Sequence, residues 1–481
     1  MVATFFWYDL ETSGTDAIRD RILQFAGQRT DAALNPIEAP IDIAVRPTQD
    51  TLLDPDAMAI TGLDPRKLDA EGCSEFALTG EILSHFQRPE TCVVGYNSLS
   101  FDDEFIRQTL FRNLRDPYAR EWQGGNSRWD VLGLMRMAYA LRPEGLIWPV
   151  KDNGRPSFTL VDLAGANGID HLKAHDALSD IEATIGVTRL VKAYQPRLFS
   201  YFFSMRQKQN VIHQLYPLGK RPIVHVAPYY PAEQRFISLL LPLIAHPRFP
   251  NTVVCWDLLS SPDNVARSLH SVASLKETLA GVGVTRDGMR RPLQYLAINK
   301  SPLIAPYQTL GAQQASALGF DDNLIQVRVT QLQRMARLRD VLAEWLSQEE
   351  DRAPVDVDAS LYSGGFLSQE DLQSFAIARE AIGHRQPPSV NGEGRITRLI
   401  ERCFARVMEG QVAPESALRW HQYLTESWLD SGRLEDVFRR TWAAPTAGPS
   451  ALVPEIRSAL LSRLDEQAAL LGLSTRQWID L

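Results

Sequence analysis

The chain opens on Thr4-Phe5-Phe6-Trp7-Tyr8-Asp9-Leu10-Glu11-Thr12, an apolar, aromatic run that ends on two acids. Aromatic residues packed this densely over a few positions predict a buried β-strand, here Thr4–Tyr8. On a strand, residues i and i+2 share a face, so Asp9 and Glu11 project together. Two adjacent carboxylates repel each other and lose hydration unless a cation sits between them. Hard oxygen ligands of this kind suit Mg²⁺ or Mn²⁺. A solvated strand end with two acids is the bland alternative, and the pair alone does not decide.

Two further places decide it. Gly95-Tyr96-Asn97-Ser98-Leu99-Ser100-Phe101-Asp102-Asp103 carries an expected strand, Thr91–Tyr96, through a polar turn into an expected helix, Phe101–Asn113. His175-Asp176-Ala177-Leu178-Ser179-Asp180 places a histidine five residues before an aspartate at the start of a second helix, Ala177–Tyr194. Taken singly, an acid at a helix start reads as a cap. Taken together, the order and spacing resemble the three motifs of the DEDD exonuclease superfamily: DxE on the first strand, FD after a strand and turn, and HxxxxD near the domain end. The last form marks the branch with histidine as base. The other branch carries Tyr four residues before the final Asp, where this chain has Asp176.

The surrounding pattern supports an α/β first region. Arg21–Thr30 and Ile41–Arg46 read as further strands, and the helix before Gln195-Pro196 ends there because proline disfavours helix in the residue preceding it. Short apolar runs at Pro222–Ala227, Thr252–Leu258 and Leu293–Ile298 predict a small β-rich domain, with a helix over Asn323–Gln348. The acidic, proline-bearing stretch Gln348–Asp358 reads as a linker. Beyond it, Ile396, Leu399, Ile400, Cys403, Phe404 and Val407 share one helical face, and Leu418–Leu429 and Val453–Leu471 follow suit. The expected domains are 1–195, 196–349 and 352–475.

Composition is that of a globular chain: 481 residues, 44% hydrophobic and 22% charged, with a formal net charge of −8. Net acidity runs against a nucleic-acid partner, since phosphate binding leaves a basic footprint. A metal-holding carboxylate cluster is itself acidic, however, so the sum does not exclude one. The four cysteines, Cys73, Cys92, Cys255 and Cys403, form no CxxC pair, which argues against a zinc site or disulfide framework. The opening apolar run has no basic region before it and stops at Asp9, too short for a signal peptide. No apolar stretch is long enough to span a membrane. A cytoplasmic protein is expected.

Several segments resemble bacterial exonuclease I: Gly95–Glu104, Asn126-Ser127-Arg128-Trp129-Asp130, Ala140-Leu141-Arg142-Pro143-Glu144-Gly145, Ala174-His175-Asp176-Ala177, Gln195-Pro196-Arg197-Leu198-Phe199 and Ile298-Asn299-Lys300. The likeness is strongest in the first region and looser toward the C-terminus. It implies an RNase H-like nuclease domain, an SH3-like domain and a helical C-terminal domain, arranged as a ring-like cleft around single-stranded DNA. It implies processive release of 5′-mononucleotides from 3′ ends with two Mg²⁺ ions, in DNA repair and recombination. It also implies a monomer that binds the acidic C-terminal tail of single-stranded DNA-binding protein.

The resemblance assigns roles residue by residue. Asp9 would bridge both metals, Glu11 and Asp180 would complete the water-activating site, and Asp102 would hold the second metal. His175 would take the proton from the attacking water. Arg107, Tyr118, Trp122, Arg136, Tyr201 and Lys208 match DNA-contact positions. Thr159 stands where relatives can carry Arg, which weakens a phosphate contact there. A proofreading exonuclease or exoribonuclease of the same superfamily is the rival reading, and the long chain beyond the first domain argues against it. A non-catalytic DNA-binding protein is the other, and the presence of all five catalytic positions argues against that.

Overall fold

The aromatic run forms β1 (Thr4–Thr12), and its alternation separates two environments. Phe6, Tyr8 and Leu10 join Ile22 and Phe25 of β2 (Ile22–Asp31) in a core against the helices Glu75–Phe86 and Asp102–Arg112. The opposite face carries Phe5, Trp7, Asp9 and Glu11, and the Trp7 indole N–H donates to Thr30 Oγ1 at 2.9 Å. The structure, a computed structural model, describes residues 4–170, 176–280, 291–348, 356–388, 392, 394–408, 410–445, 448 and 451–478.

β3 (Ile41–Arg46), β4 (Cys73–Ser74), β5 (Thr91–Gly95) and β6 (Ser127–Asp130) complete a mixed sheet in the order β4-β3-β2-β1-β5-β6. β1 runs antiparallel to β2 and parallel to β5, and the β1–β2 register shifts between Glu11 and Thr12. Gly95 ends β5. A Cβ at this position would stand 2.7 Å from Ser98 Cβ and 3.0 Å from the Tyr8 carbonyl oxygen. Its absence lets the chain turn tightly over the end of β1 into the helix that Asp102 opens.

Contacts divide the chain into two units. The first joins Met1–Arg128 and His171–Glu182 to the helical Arg352–Leu481. Its helices complete cores that the sheet region leaves open. Phe111 and Leu114 are buried with Leu361, Phe375 and Leu399. Leu52 packs with Trp428 and Leu434, and Leu23, Leu53 and Met58 pack with Leu452, Ile456 and Leu460. An ion-pair network lies among these cores. Asp50, fully buried, accepts hydrogen bonds from Arg21 at 3.0 Å and Arg406 at 2.8 Å, and Arg406 also holds Asp358.

The second unit contains Trp129–Asp170 and Ala183–Asp351. β7 (Ile223–Val226), β8 (Ile237–Ala245), β9 (Thr252–Asp257), β10 (Leu293–Ala297) and β11 (Ile304–Pro306) form an antiparallel sheet in the order β10-β9-β8-β7-β11. Beside it, the buried Trp129 ring meets Phe199, Phe202 and Phe203 at centroid distances of 5.5, 5.7 and 5.0 Å.

Most of the expected elements recur, several to the residue, including Ile41–Arg46 and Ala177–Tyr194. The helix expected over Asn323–Gln348 is instead two, Asp322–Arg334 and Leu338–Ser347. The first buries Ile325, Val329 and Leu332, the second Leu338, Val341, Leu342 and Leu346. On one straight helix these sets would face directions roughly 130° apart at 3.6 residues per turn, so the break at Met335 turns both stripes inward. Most of the expected linker lies outside the described residues. Among the described residues, no helix is long and apolar enough to cross a membrane.

The Asp50 network gives the first prediction. Burial alone would raise both carboxyls, but Arg406 and Arg21 outweigh it at Asp50, and Arg406 and Arg402 do so at Asp358. Asp50 is held far below the usual carboxylate range and Asp358 at about 2. Depressed values contribute stability that is complete above the unfolded carboxylate range and lost as the pH falls through the folded values. Asp50→Asn should cost about 3–5 kcal/mol, the scale for stranding a buried partner charge. Urea unfolding at pH 7 measures it, and the difference from wild type should shrink as the pH is lowered from 5 toward 3.

Candidate active site

β1 places Asp9 and Glu11 on one face, and the first turn of the helix Ala177–Tyr194 brings Asp180 to them. One carboxylate oxygen from each of the three lies within 4.8 Å of the others. Glu11 is buried at 8% exposure, and Asp9 and Asp180 are half-buried. Neither Asp9 nor Glu11 has an ion-pair partner among the described residues. Burial, then Asp102 and Asp180, raises the Asp9 carboxyl well above its ordinary range. Burial, then Asp9, Asp180 and Asp176, pushes Glu11 up to about 9. Carboxylates that raise Asp9 and Glu11, neither of which has an ion-pair partner among the described residues, fit a divalent cation held by oxygen ligands.

Asp102 is buried at the start of the helix Asp102–Arg112 and acts electrostatically on Asp9, which places it beside the cluster. Its neighbour Asp103 has a different environment. Arg120 and Arg128 both donate to its carboxylate, with Arg107 at 3.8 Å. Burial would raise Asp103, but these three guanidinium groups hold it below the ordinary range. His175 lies outside the described residues.

The expected DNA-contact positions fall into distinct settings. Trp122 is 66% exposed and presents an open ring. Tyr118 is half-buried beneath the Arg107 guanidinium, 5.4 Å from its ring centroid. Arg107 itself is buried and saturated, donating to Glu121 at 2.7 Å, Glu104 at 3.0 Å and Tyr362 at 3.2 Å. In the second unit, Thr159 caps the helix Leu160–Ala166 by accepting from the Asp162 N–H. Tyr201 donates to the Ile304 carbonyl at 3.2 Å, and exposed Lys208 donates to Asn251 at 2.7 Å. Arg136 is half-buried and lines a small cavity with Lys151 and Arg155.

The structure adds two aromatics that the sequence reading passed over. Phe366, 86% exposed, meets Tyr118 edge-on at 5.9 Å, and Tyr362 bonds Glu104 and Arg107. Both sit on the turn around Gly364-Gly365, which Arg395 pins through the Gly365 carbonyl at 3.1 Å. The diglycine was the available signal, but a turn alone does not tell an exposed Phe from a buried one.

Against this geometry, a family model described as "Exonuclease" matches residues 6–188, and one described as "Exonuclease I SH3-like domain" matches residues 206–348. The exodeoxyribonuclease I of Haemophilus influenzae is 36% identical over 426 residues, covering 87% of this chain and 89% of that protein. The chain belongs to the exonuclease I family. The crystal structure of Escherichia coli exonuclease I in complex with a dA16 oligonucleotide superposes with a TM-score of 0.86 at 34% identity, covering 98% of this chain and 100% of that one. An ExoI/SSB-Ct complex matches with a TM-score of 0.84 at 33% identity, covering 98% and 99%. The exonuclease I architecture thus comprises the mixed sheet, the SH3-like sheet and the helical C-terminal region described above.

The carboxylates give a pH prediction. Asp9 and Glu11 have raised values, so without metal they contribute stability below the unfolded carboxylate range and lose it as the pH rises toward about 9. A bound divalent cation replaces those protons. Thermal unfolding in EDTA and in excess Mg²⁺ should therefore diverge as the pH rises from 6 to 9. A gap that stays constant over that range would remove these residues from the metal site.

Proposed function

We propose that the chain is a 3′→5′ exodeoxyribonuclease that degrades single-stranded DNA to 5′-mononucleotides, acting in DNA repair and recombination in the cytoplasm. The convergence of Asp9, Glu11 and Asp180 carries the reading, because it supplies what a polyanionic phosphodiester requires. Two Mg²⁺ ions, with Mn²⁺ as a substitute, would neutralise the phosphate and acidify water there. Asp9, Glu11, Asp102 and Asp180 would hold them. His175 would accept the proton from the attacking water, the task of a general base.

Exposed Trp122, with Tyr118, Tyr362 and Phe366, offers ring faces on which bases of any sequence can stack. Arg136 and Lys208 are the candidate phosphate partners in the second unit. Arg107 acts through Tyr118 and the Glu104–Glu121 acids, which it holds in place. Thr159, spent as a cap, is the least suited to a phosphate contact. The nuclease, SH3-like and helical domains are taken as 1–195, 196–349 and 352–475. The ExoI/SSB-Ct complex supports the C-terminal tail of single-stranded DNA-binding protein as partner; the enzyme is taken as a monomer.

Asp9→Asn or Asp180→Asn should abolish Mg²⁺-dependent shortening of 3′-ended single strands while circular dichroism stays native. Full activity in both would overturn the site. His175→Ala should slow single-turnover hydrolysis by roughly 10²–10⁴, the range for losing a general base, with little change in DNA affinity. A wild-type rate between pH 6 and 8 would make His175 structural. End-labelled single-stranded DNA, duplex DNA and RNA run in parallel separate this reading from an exoribonuclease.

A further inference from the structure

A cavity of about 220 Å³ in the second unit is walled by Arg136, Lys151 and Arg155, and among the described residues no acid lines it. A hollow lined by one sign of charge concentrates ions of the other sign, here within a chain whose formal net charge is −8. The three cations come from two elements. Arg136, half-buried, belongs to the helix Val131–Leu141. Lys151 and Arg155 stand on a tight hairpin whose ends, Val150 and Pro156, pair in antiparallel fashion. Its backbone closes on itself: the Lys151 N–H donates to the Arg155 carbonyl and the Gly154 N–H to the Lys151 carbonyl, both at 2.8 Å. Gly154 turns at a φ of +75°, in the left-handed region that glycine enters without strain.

An aromatic cluster supports the cavity. Phe158 meets Tyr139 at 5.4 Å and Phe236 at 5.8 Å between centroids, and Trp148 meets Tyr139 at 5.3 Å. The Arg155 guanidinium lies over the Phe236 ring, 5.6 Å from its centroid, which holds it at the wall. Lys151 and Arg155 are both exposed, and neither makes an ion pair among the described residues. Thr159, further along the same stretch, has no charge and is occupied as a helix cap. Asn153, the remaining polar residue on the wall, already accepts from the Arg155 backbone N–H at 3.1 Å.

We propose that this hollow seats one backbone phosphate of a single DNA strand, with Lys151 and Arg155 as contacts beside Arg136. The volume lies below the roughly 300–1,000 Å³ of small-molecule sites, so it suits one phosphate group and not a whole nucleotide. A phosphate directs its oxygens apart, so cations arriving from a helix and from both arms of a hairpin can share it, and guanidinium groups match its geometry. With Asn153 engaged, the wall reads charge and not base identity, as a strand of any sequence requires. The proposal rests on the reading of the chain as a single-strand nuclease and adds to it a phosphate seat in the second unit.

The test is fluorescence anisotropy of the full chain in EDTA with labelled oligo(dT) and oligo(dA) of equal length, over a series of salt concentrations. Each phosphate contact on a single strand adds about 0.7 to the slope of log K against log salt. Lys151→Ala/Arg155→Ala should bind both strands about tenfold more weakly at low salt, the scale of one charge-assisted contact, with a slope shallower by about 0.7. Arg66→Ala/Lys67→Ala, which removes two exposed cations from the helix Pro65–Glu71, should leave affinity and slope near wild type. Should loss of the Arg155 stack on Phe236 disturb the fold, Lys151→Gln alone should show the same direction. Wild-type affinity and slope in the hairpin variants, an equal loss in the Arg66/Lys67 control, a loss for one strand only, or a loss of hexa-aspartate binding without loss of DNA binding would each overturn the proposal. Cleavage of the same strands by wild type in Mg²⁺ separates the two readings. If wild type cleaves and the hairpin variants bind as it does, only the phosphate seat falls. If wild type does not cleave and the hairpin variants still lose binding, only the nuclease reading falls.

Discussion

The structure is organised around a repulsion. Three carboxylates with oxygens within 4.8 Å of one another repel in a half-buried setting, and a counter-charge relieves that repulsion. Such a cluster persists only if the backbone beneath it is rigid enough to hold the acids together. The central position of β1 provides that rigidity: β2 pairs along its length on one side, and β5 pairs with its first half on the other. The even-numbered side chains of β1 anchor it in the aromatic core, so the odd-numbered face is free to carry charge. The register shift at Glu11 and Thr12 ends the regular ladder where the site begins.

Anchoring β1 leaves the outer surfaces of the sheet region to be covered, and the helical C-terminal region covers them. Phe111, in the last turn of the helix that begins with Asp102, and Leu114, just past its end, are both buried against Leu361, Phe375 and Leu399. A chain cut after the sheet region would expose these side chains together with Leu52, Leu23, Leu53 and Met58. It would also leave Asp50 without Arg406. The C-terminal helices are therefore part of the platform that carries the carboxylates.

This division explains what the sequence disclosed. Asp9 and Glu11 were legible because strand alternation is local: two residues apart means one face. Motif order singles out Asp102 and Asp180 without knowledge of packing, and the fold brings Asp180 to the pair on β1. The Asp50–Arg406 pair was not, because its partners stand 356 positions apart and neither lies in a recognisable motif. The break at Met335 was missed for a related reason, since nothing in Arg334-Met335-Ala336-Arg337 opposes a helix locally and only the positions of the two apolar stripes demand it. The resemblance marks Arg107 as a DNA-contact position, and only the fold shows Glu104, Glu121 and Tyr362 gathered on it.

Asp102 and Asp103 show how far a motif can be read. They are the same residue type in consecutive positions at the start of one helix; the FD motif singles out Asp102, and nothing in the sequence says what Asp103 does. Successive residues of a helix point about 100° apart, so one can face the Asp9 cluster while the other faces away. The one facing away meets Arg120, Arg128 and Arg107 and is held ionised. That pairing ties the helix start to the segment carrying Tyr118 and Trp122 through Arg120, and to β6 through Arg128. Asp103 thus fixes the place from which Asp102 projects. The acid neutralised by arginines anchors the helix, while its neighbour acts electrostatically on Asp9. The doubled aspartate after Phe101 provides one residue for each.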